Sequence, residues 1–137
     1  MSIPFRTDRV RIIIFVKRKP GLSKEEFSRY WKGPHAELFT SLETVKKNVI
    51  KYEQAHVNDK YITAPQAMAM GLTAPDWDGF AVFDAESYDK LFEVFSSEEY
   101  AKIAVPDEEN FIDRPKFQIL PLDLFTPIIL RYTISAS

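Results

Sequence analysis

The segment Val10-Arg11-Ile12-Ile13-Ile14-Phe15-Val16-Lys17 constrains this chain more than any other. Its centre is β-branched and aromatic, the composition of a strand. Side chains along a strand alternate between two faces. One face carries Val10, Ile12, Ile14 and Val16; the other carries Arg11, Ile13, Phe15 and Lys17. Both are apolar at the centre, so a central strand covered on both sides is expected. The chain must then supply two covering layers, or borrow one. At 137 residues it has the length of a single domain, read as a core over 10–123 and an extension over 124–137.

The remaining elements follow from local signals. Lys19-Pro20-Gly21 turns the chain, and Ser23 with Glu26 forms a capping box that opens a helix. Phe27, Tyr30, Trp31, Leu38 and Leu42 make its core-facing stripe. Gly33-Pro34 should kink or break it, with a second helical piece from Pro34 to about Lys47. Residues 49–58 alternate again and read as a strand, with Ile50, Tyr52, Gln54, His56 and Asn58 on one face. Residues 59–76 form a long connection, with a short helix at 65–70, and Met68 and Met70 suit an adaptable apolar lid. A third strand is expected over 77–83 and a helix from Ser87 with Leu91, Phe92 and Phe95 apolar. A helical restart at 97–104, an acidic loop at 105–115, a fourth strand at 116–122 and an added β segment at 126–134 complete the reading. The acidic runs at Glu98-Glu99 and Asp107-Glu108-Glu109 read as solvated faces.

The order β-α-β, β-α-β is the split-βαβ, ferredoxin-like α+β plan, an antiparallel sheet with two helices on one face. Two helices cover one face only. Eleven Phe, six Tyr and two Trp are more rings than one helix-on-sheet layer needs, so the second face asks for a partner. A second copy closing its sheet against the first gives a homodimer, a dimeric α+β barrel with an interior cavity for a small apolar or aromatic ligand.

Composition excludes much else. Without cysteine there is no disulfide framework, no cysteine nucleophile and no thiolate metal site. Two histidines, His35 and His56, cannot build a three-histidine zinc site, and no metal is expected. The formal charge of −2 gives no case for nucleic acid or an anionic membrane surface. The four glycines form no phosphate loop, so no nucleotide cofactor is expected, and there is no nucleophile elbow. The N-terminus lacks an apolar signal region and the longest apolar run is too short for a bilayer, so a cytoplasmic protein is the default.

The stretch Val16-Lys17-Arg18-Lys19-Pro20-Gly21-Leu22-Ser23, followed by Phe27, Tyr30-Trp31 and Pro34-His35, resembles the EthD domain. Tyr52, Asp78-Gly79, Phe83-Asp84 and the loop around Asp107, Phe111 and Asp113 extend the resemblance over roughly residues 10–123. The 59–76 connection and the tail after Asp123 depart from it. The resemblance implies a dimeric α+β barrel. It also implies work on aromatic or polyketide compounds in secondary metabolism, where similar barrels decarboxylate, dehydrate or cyclise without a cofactor.

Within that frame the chemistry falls to few residues. If the face of Tyr52, Gln54, His56 and Asn58 looks into the barrel, four polar groups converge in an aromatic space, as in a ligand pocket. His56 would be the acid/base, Tyr52 would steady a developing enolate, and Asn58 and Gln54 would bind substrate. The alternative is a solvated strand face or a satisfied core histidine. His35, which the resemblance matches to a recurring histidine, is a second candidate base at the cavity mouth; alternatively it packs on Trp31 or bonds a carbonyl. Arg11 could hold a substrate carboxylate or reach solvent at a strand end. Phe15, Trp31 and Phe80 would be ring walls for the substrate, or core. The expected function is a cofactor-independent lyase or cyclase for a small carbonyl compound. The rival readings are a non-catalytic dimer that binds an apolar ligand, and a barrel-type monooxygenase.

Overall fold

The computed structural model describes residues 4–127. Four strands, β1 (Val10–Val16), β2 (Lys51–His56), β3 (Gly79–Ala85) and β4 (Gln118–Leu122), form one sheet in the order β2-β3-β1-β4. Every neighbouring pair is antiparallel. The helices are α1 (Lys24–Tyr30), α2 (Ala36–Ser41), α3 (Glu43–Asn48), α4 (Asp59–Ile62), α5 (Pro65–Ala69), α6 (Tyr88–Phe95) and α7 (Val105–Glu108). This is the ferredoxin-like α+β plan. The expected β segment at 126–134 lies almost wholly outside the described residues, and Thr126 and Pro127 are not in a strand. Among the described residues no helix is long and apolar enough to cross a membrane.

Register sorts the sheet into two faces. Ile12, Ile14 and Val16 of β1 align with Phe83, Ala81 and Gly79 of β3, and these with Tyr52, Gln54 and His56 of β2. That face packs under the helices against Phe27, Trp31, Phe39, Leu42, Leu91 and Val94. The opposite face carries Arg11, Ile13 and Phe15 beside Asp84, Val82 and Phe80. Among the described residues no helix covers it, and Ile13, Phe15 and Phe80 remain half-buried. The helices thus cover one face of the central strand, as the two-helix plan requires, and leave bare the face expected to meet a second copy.

The helical layer is less regular than its sequence pattern suggests. Ser23 caps α1 as expected: its hydroxyl accepts from Glu26 N–H and Glu26 accepts from Ser23 N–H. At Gly33-Pro34 the helix neither breaks nor kinks into a new start. It widens into a π turn over Trp31–His35 and runs on into α2. Proline has no N–H to give the ladder, and a wider turn accommodates that loss. The break comes instead at Leu42, whose extended backbone separates α2 from α3. A second π turn, Tyr100–Ala104, leads into α7. The expected acidic loop at 105–115 therefore begins as helix. The 59–76 connection holds two short helices, with Met68 and Met70 exposed. Phe92, expected inward, is 54% exposed.

Candidate active site

The face that carries Tyr52, Gln54 and His56 does not look into an open barrel, as the sequence reading supposed; it lies beneath α1 and α2. The register leaves Phe15 and Phe80 on the other side of the sheet, where Phe15 packs on Trp77 at 4.3 Å between ring centroids. Arg11 is also on that side, and it is not a free carboxylate receptor, though 28% of its side chain stays exposed. Its guanidinium grips the wholly buried Asp84 through two bonds of 2.6 and 2.9 Å. Burial opposes ionisation of Asp84, but Arg11 and Arg9 outweigh it and hold the carboxyl below its ordinary value. Asn58 lies past the end of β2 and accepts from Tyr61 N–H to cap α4. Of the expected site residues, the structure brings together Trp31, His35, Tyr52, Gln54 and His56, and sets Asn58, Arg11, Phe15 and Phe80 apart.

Between sheet and helices is a cavity of about 20 Å³, room for roughly one water. Its walls are mostly aromatic: Trp31, Phe39, Phe83, Phe95 and Phe117. Three polar side chains enter it: His35, Tyr52 and Glu108. His35 is not at a mouth. It is 4% exposed, at the end of the first π turn. Among the described residues it bonds no carbonyl; its Nδ1 lies 2.7 Å from Oδ2 of Asp107. A carboxylate accepts only, so Nδ1 carries the hydrogen and Nε2 of the neutral ring keeps its lone pair. The Tyr30 hydroxyl donates to the other oxygen of Asp107 at 2.5 Å. Burial lowers the His35 pKa against the pull of Asp107, which favours a neutral ring.

Tyr52 accepts from the Gln54 side-chain amide at 2.7 Å, and its own O–H has no acceptor among the described residues. Burial pushes it up to about 12, so the hydroxyl keeps its proton. Glu108, read from sequence as solvated, is 6% exposed. It accepts from the Tyr100 hydroxyl and pairs with Arg114. Burial pushes its carboxyl up to about 7 in spite of both partners. Glu99 is not idle surface either, since its carboxylate accepts from the N–H groups of Glu43 and Thr44 at the start of α3.

Asp107 reaches His35 and Glu108 reaches the cavity with the chain after α7 tied to the loop after β1. Lys19 N–H donates to Phe111 C=O, Asp113 N–H donates to Lys17 C=O, and Arg18 pairs with Ile112. The acidic pair was legible only through the loop motif at Asp107, Phe111 and Asp113. Nothing local marks Glu108 as inward, because the π turn shifts the helical phase that would predict it.

His56 belongs to a second, more open place. Its ring lies on Trp31 at 4.3 Å and forms part of a surface groove of about 390 Å³. Nδ1 is 2.7 Å from the Ser28 hydroxyl and Nε2 is 2.9 Å from Gln54 Oε1. Among the described residues no cluster of His, Asp and Glu is arranged to hold a metal ion.

The EthD domain family model matches residues 19–115. The chain belongs to the EthD domain family. Its fold recurs in solved structures at low identity. An EthD family protein from Bacillus halodurans superposes with a TM-score of 0.58 at 11% identity, over 85% of this chain and 99% of that one. A dimeric ferredoxin-like protein of unknown function from Bacteroides fragilis gives 0.57 at 12%, over 88% and 100%. Hydroxynitrile lyase from Passiflora edulis gives 0.57 at 15%, over 90% and 100%. At these identities the likeness establishes the fold. No curated protein matches this EthD sequence.

Proposed function

We propose that this EthD protein is a homodimeric, cofactor-independent lyase, a dehydratase, cyclase or decarboxylase for a small aromatic or polyketide-like carbonyl compound. The observation that carries the reading is the His35–Asp107 pair, 2.7 Å apart, with His35 lining an aromatic cavity that also holds the unspent O–H of Tyr52. One group takes a proton and the other stabilises the negative charge that results. In a dehydration, His35 Nε2 removes the proton next to the carbonyl. The electron pair moves to the carbonyl oxygen, where Tyr52 donates a hydrogen bond to the enolate. Collapse expels the β-hydroxyl, which leaves as water with the proton that His35 returns. The Asp107 carboxylate holds the ring in the useful tautomer and stabilises its charged form, the role an orienting acid plays beside a catalytic histidine.

The base is thus assigned to His35 rather than His56, because both nitrogens of His56 are engaged and it faces the groove. Among the cavity's lining residues Tyr52, Phe95 and Phe117 are half-buried and the rest are buried. Phe95 and Phe117 would have to move for a substrate larger than water to enter. The lyase named among the similar structures is consistent with this reaction class. The uncovered sheet face, apolar at Ile13, Phe15 and Phe80, supports the dimer.

The test is turnover of an aromatic β-hydroxy ketone, followed as enone absorbance, and of an aromatic β-keto acid, followed as CO₂ release. His35→Gln should lose about 10²–10⁴-fold in kcat while the circular dichroism spectrum is retained. Turnover that survives His35→Gln at the wild-type rate rejects the assignment.

A further inference from the structure

We propose that Ser28 is a nucleophile activated by His56 and oriented through Gln54, and that the groove above it transfers acyl groups from small anionic esters to water. The hydrogen-bond chain dictates which atom carries which proton. Gln54 Nε2 lies 2.8 Å from the backbone carbonyl of Trp31, which can only accept, so the amide nitrogen must be on that side. Gln54 Oε1 therefore faces His56, and the Nε2 atom 2.9 Å away must donate. In a neutral ring the other nitrogen, Nδ1, is then bare. Ser28 Oγ, 2.7 Å from it, donates its hydrogen to that lone pair. The result is a hydroxyl on a base whose far side is held by a third group, the arrangement that activates a serine.

The surroundings suit the role. Trp31 packs against the His56 ring, 4.3 Å between centroids with the planes tilted by 37°, and limits its rotation. Burial and the neighbouring Lys32 both lower the pKa of His56, so the ring is an acceptor near neutral pH. Ser28 sits within α1, where a serine hydroxyl ordinarily bonds back to its own helix. Here it reaches across to β2 instead. The groove has the size of a small-molecule site, and Ser28 and His56 both line it.

The substrate class follows from where the groove's cations stand. Lys24, Arg29 and Lys32 line the same groove with Glu25, Asp59 and Asp78, three cations against three carboxylates. Lys24 is paired with Asp59, and the Asp78 carboxylate accepts from Arg18 N–H. Among the described residues Arg29 and Lys32 pair with no carboxylate. Lys32 stands four residues after Ser28, in the π turn that follows α1, and lines the same groove. Its ammonium is placed to stabilise the oxyanion, and Arg29 to hold a substrate carboxylate. In the reaction Ser28 Oγ bonds to the acyl carbon as its proton passes to His56 Nδ1. The C–O bond to the alcohol breaks, and the alkoxide takes that proton. Water then attacks the acyl-serine, gives its proton to His56, and Ser28 is released as the hydroxyl.

The experiment pairs covalent labelling with ester turnover. Wild-type protein is treated with a fluorophosphonate and digested, and the modified peptide is read by mass spectrometry; hydrolysis of p-nitrophenyl hemisuccinate and p-nitrophenyl butyrate is followed in parallel. The expected result is a label on Ser28, none at that peptide in Ser28→Ala, and labelling slowed about 10²-fold or more in His56→Gln. The anionic ester should turn over faster than the neutral one, and Lys32→Ala should remove that preference. Ser28→Ala shortens one side chain on a half-buried helical surface and keeps the fold testable by circular dichroism. Absence of label at Ser28, or an unchanged labelling rate in His56→Gln, overturns the proposal. Neither readout depends on the lyase cavity at His35.

Discussion

At the scale of single residues, burial and the nearest partner decide what each ionisable side chain can do. His35 and Glu108 enter the same cavity and are pushed in opposite directions. Burial depresses His35 below its usual value of 6.5, so its contribution to stability is present above that pH and is lost as pH falls. Burial raises Glu108 from 4.5 to about 7, so its contribution is complete below the unfolded value and is lost as pH rises through the folded one. Replacing Glu108 by Gln removes the second titration only. The melting temperature of Glu108→Gln relative to wild type should therefore climb between about pH 5 and pH 8. A difference that stays constant over that range, in thermal melts at matched ionic strength, would show that Glu108 is ionised throughout. None of this is legible in the sequence, where Asp107-Glu108-Glu109 has the look of a solvated acidic run.

At the scale of elements, the helical layer and the sheet are locked together at one glycine. Gly79 starts β3 opposite His56 of β2 and Val16 of β1. A β-carbon there would overlap the carbonyl of Ala55 and meet the Trp31 ring at 2.8 Å. The ring cannot retreat freely, because Phe27 packs on one part of it and His56 on another. Gly79→Ala should cost about 1–3 kcal/mol, the range for overpacking, and shift the urea midpoint down accordingly. It should also slow fluorophosphonate labelling at Ser28, since the same Trp31 ring holds His56. A midpoint equal to wild type would mean that β2 and Trp31 separate without cost. Strand periodicity announces such elements well. Tyr52, Gln54 and His56 do share a face, and the Ser23–Glu26 box does start α1. The two π turns are what periodicity misses. Each adds about one residue to a turn, and His35 at the end of the first and Asp107 and Glu108 after the second then point where a 3.6-residue pattern would not send them.

At the scale of the whole molecule, one sheet face is left without helices. Ile13, Phe15 and Phe80 are half-buried there around the Arg11–Asp84 pair, and Leu120 beside them is 43% exposed. Burial of apolar area against an identical face removes this surface from water at roughly 25 cal/mol per Å². A charge placed in the middle would have to be desolvated twice in a two-fold interface. Ile13→Asp should thus sediment as a monomer at micromolar concentration while wild type sediments as a dimer. Wild-type protein that runs as a monomer under the same conditions would discard the dimer.

The order of strands and helices, the alternation that divides each strand, the helix start at Ser23 and the EthD motif spacing can be read from the residues alone. All of these are local, because they depend on side chains a few residues apart. Alternation says which residues share a face but not which face the helices take, and so Tyr52 and His56 were placed toward an open barrel when they lie under α1 and α2. Only the tertiary structure decided that His35 meets Asp107, 72 residues away, and that Ser28 meets His56, 28 away. Those meetings depend on strand register, on the phase of two π turns and on the backbone bonds between 17–19 and 111–113. Each of these results from packing the whole chain, and no short stretch of residues carries it.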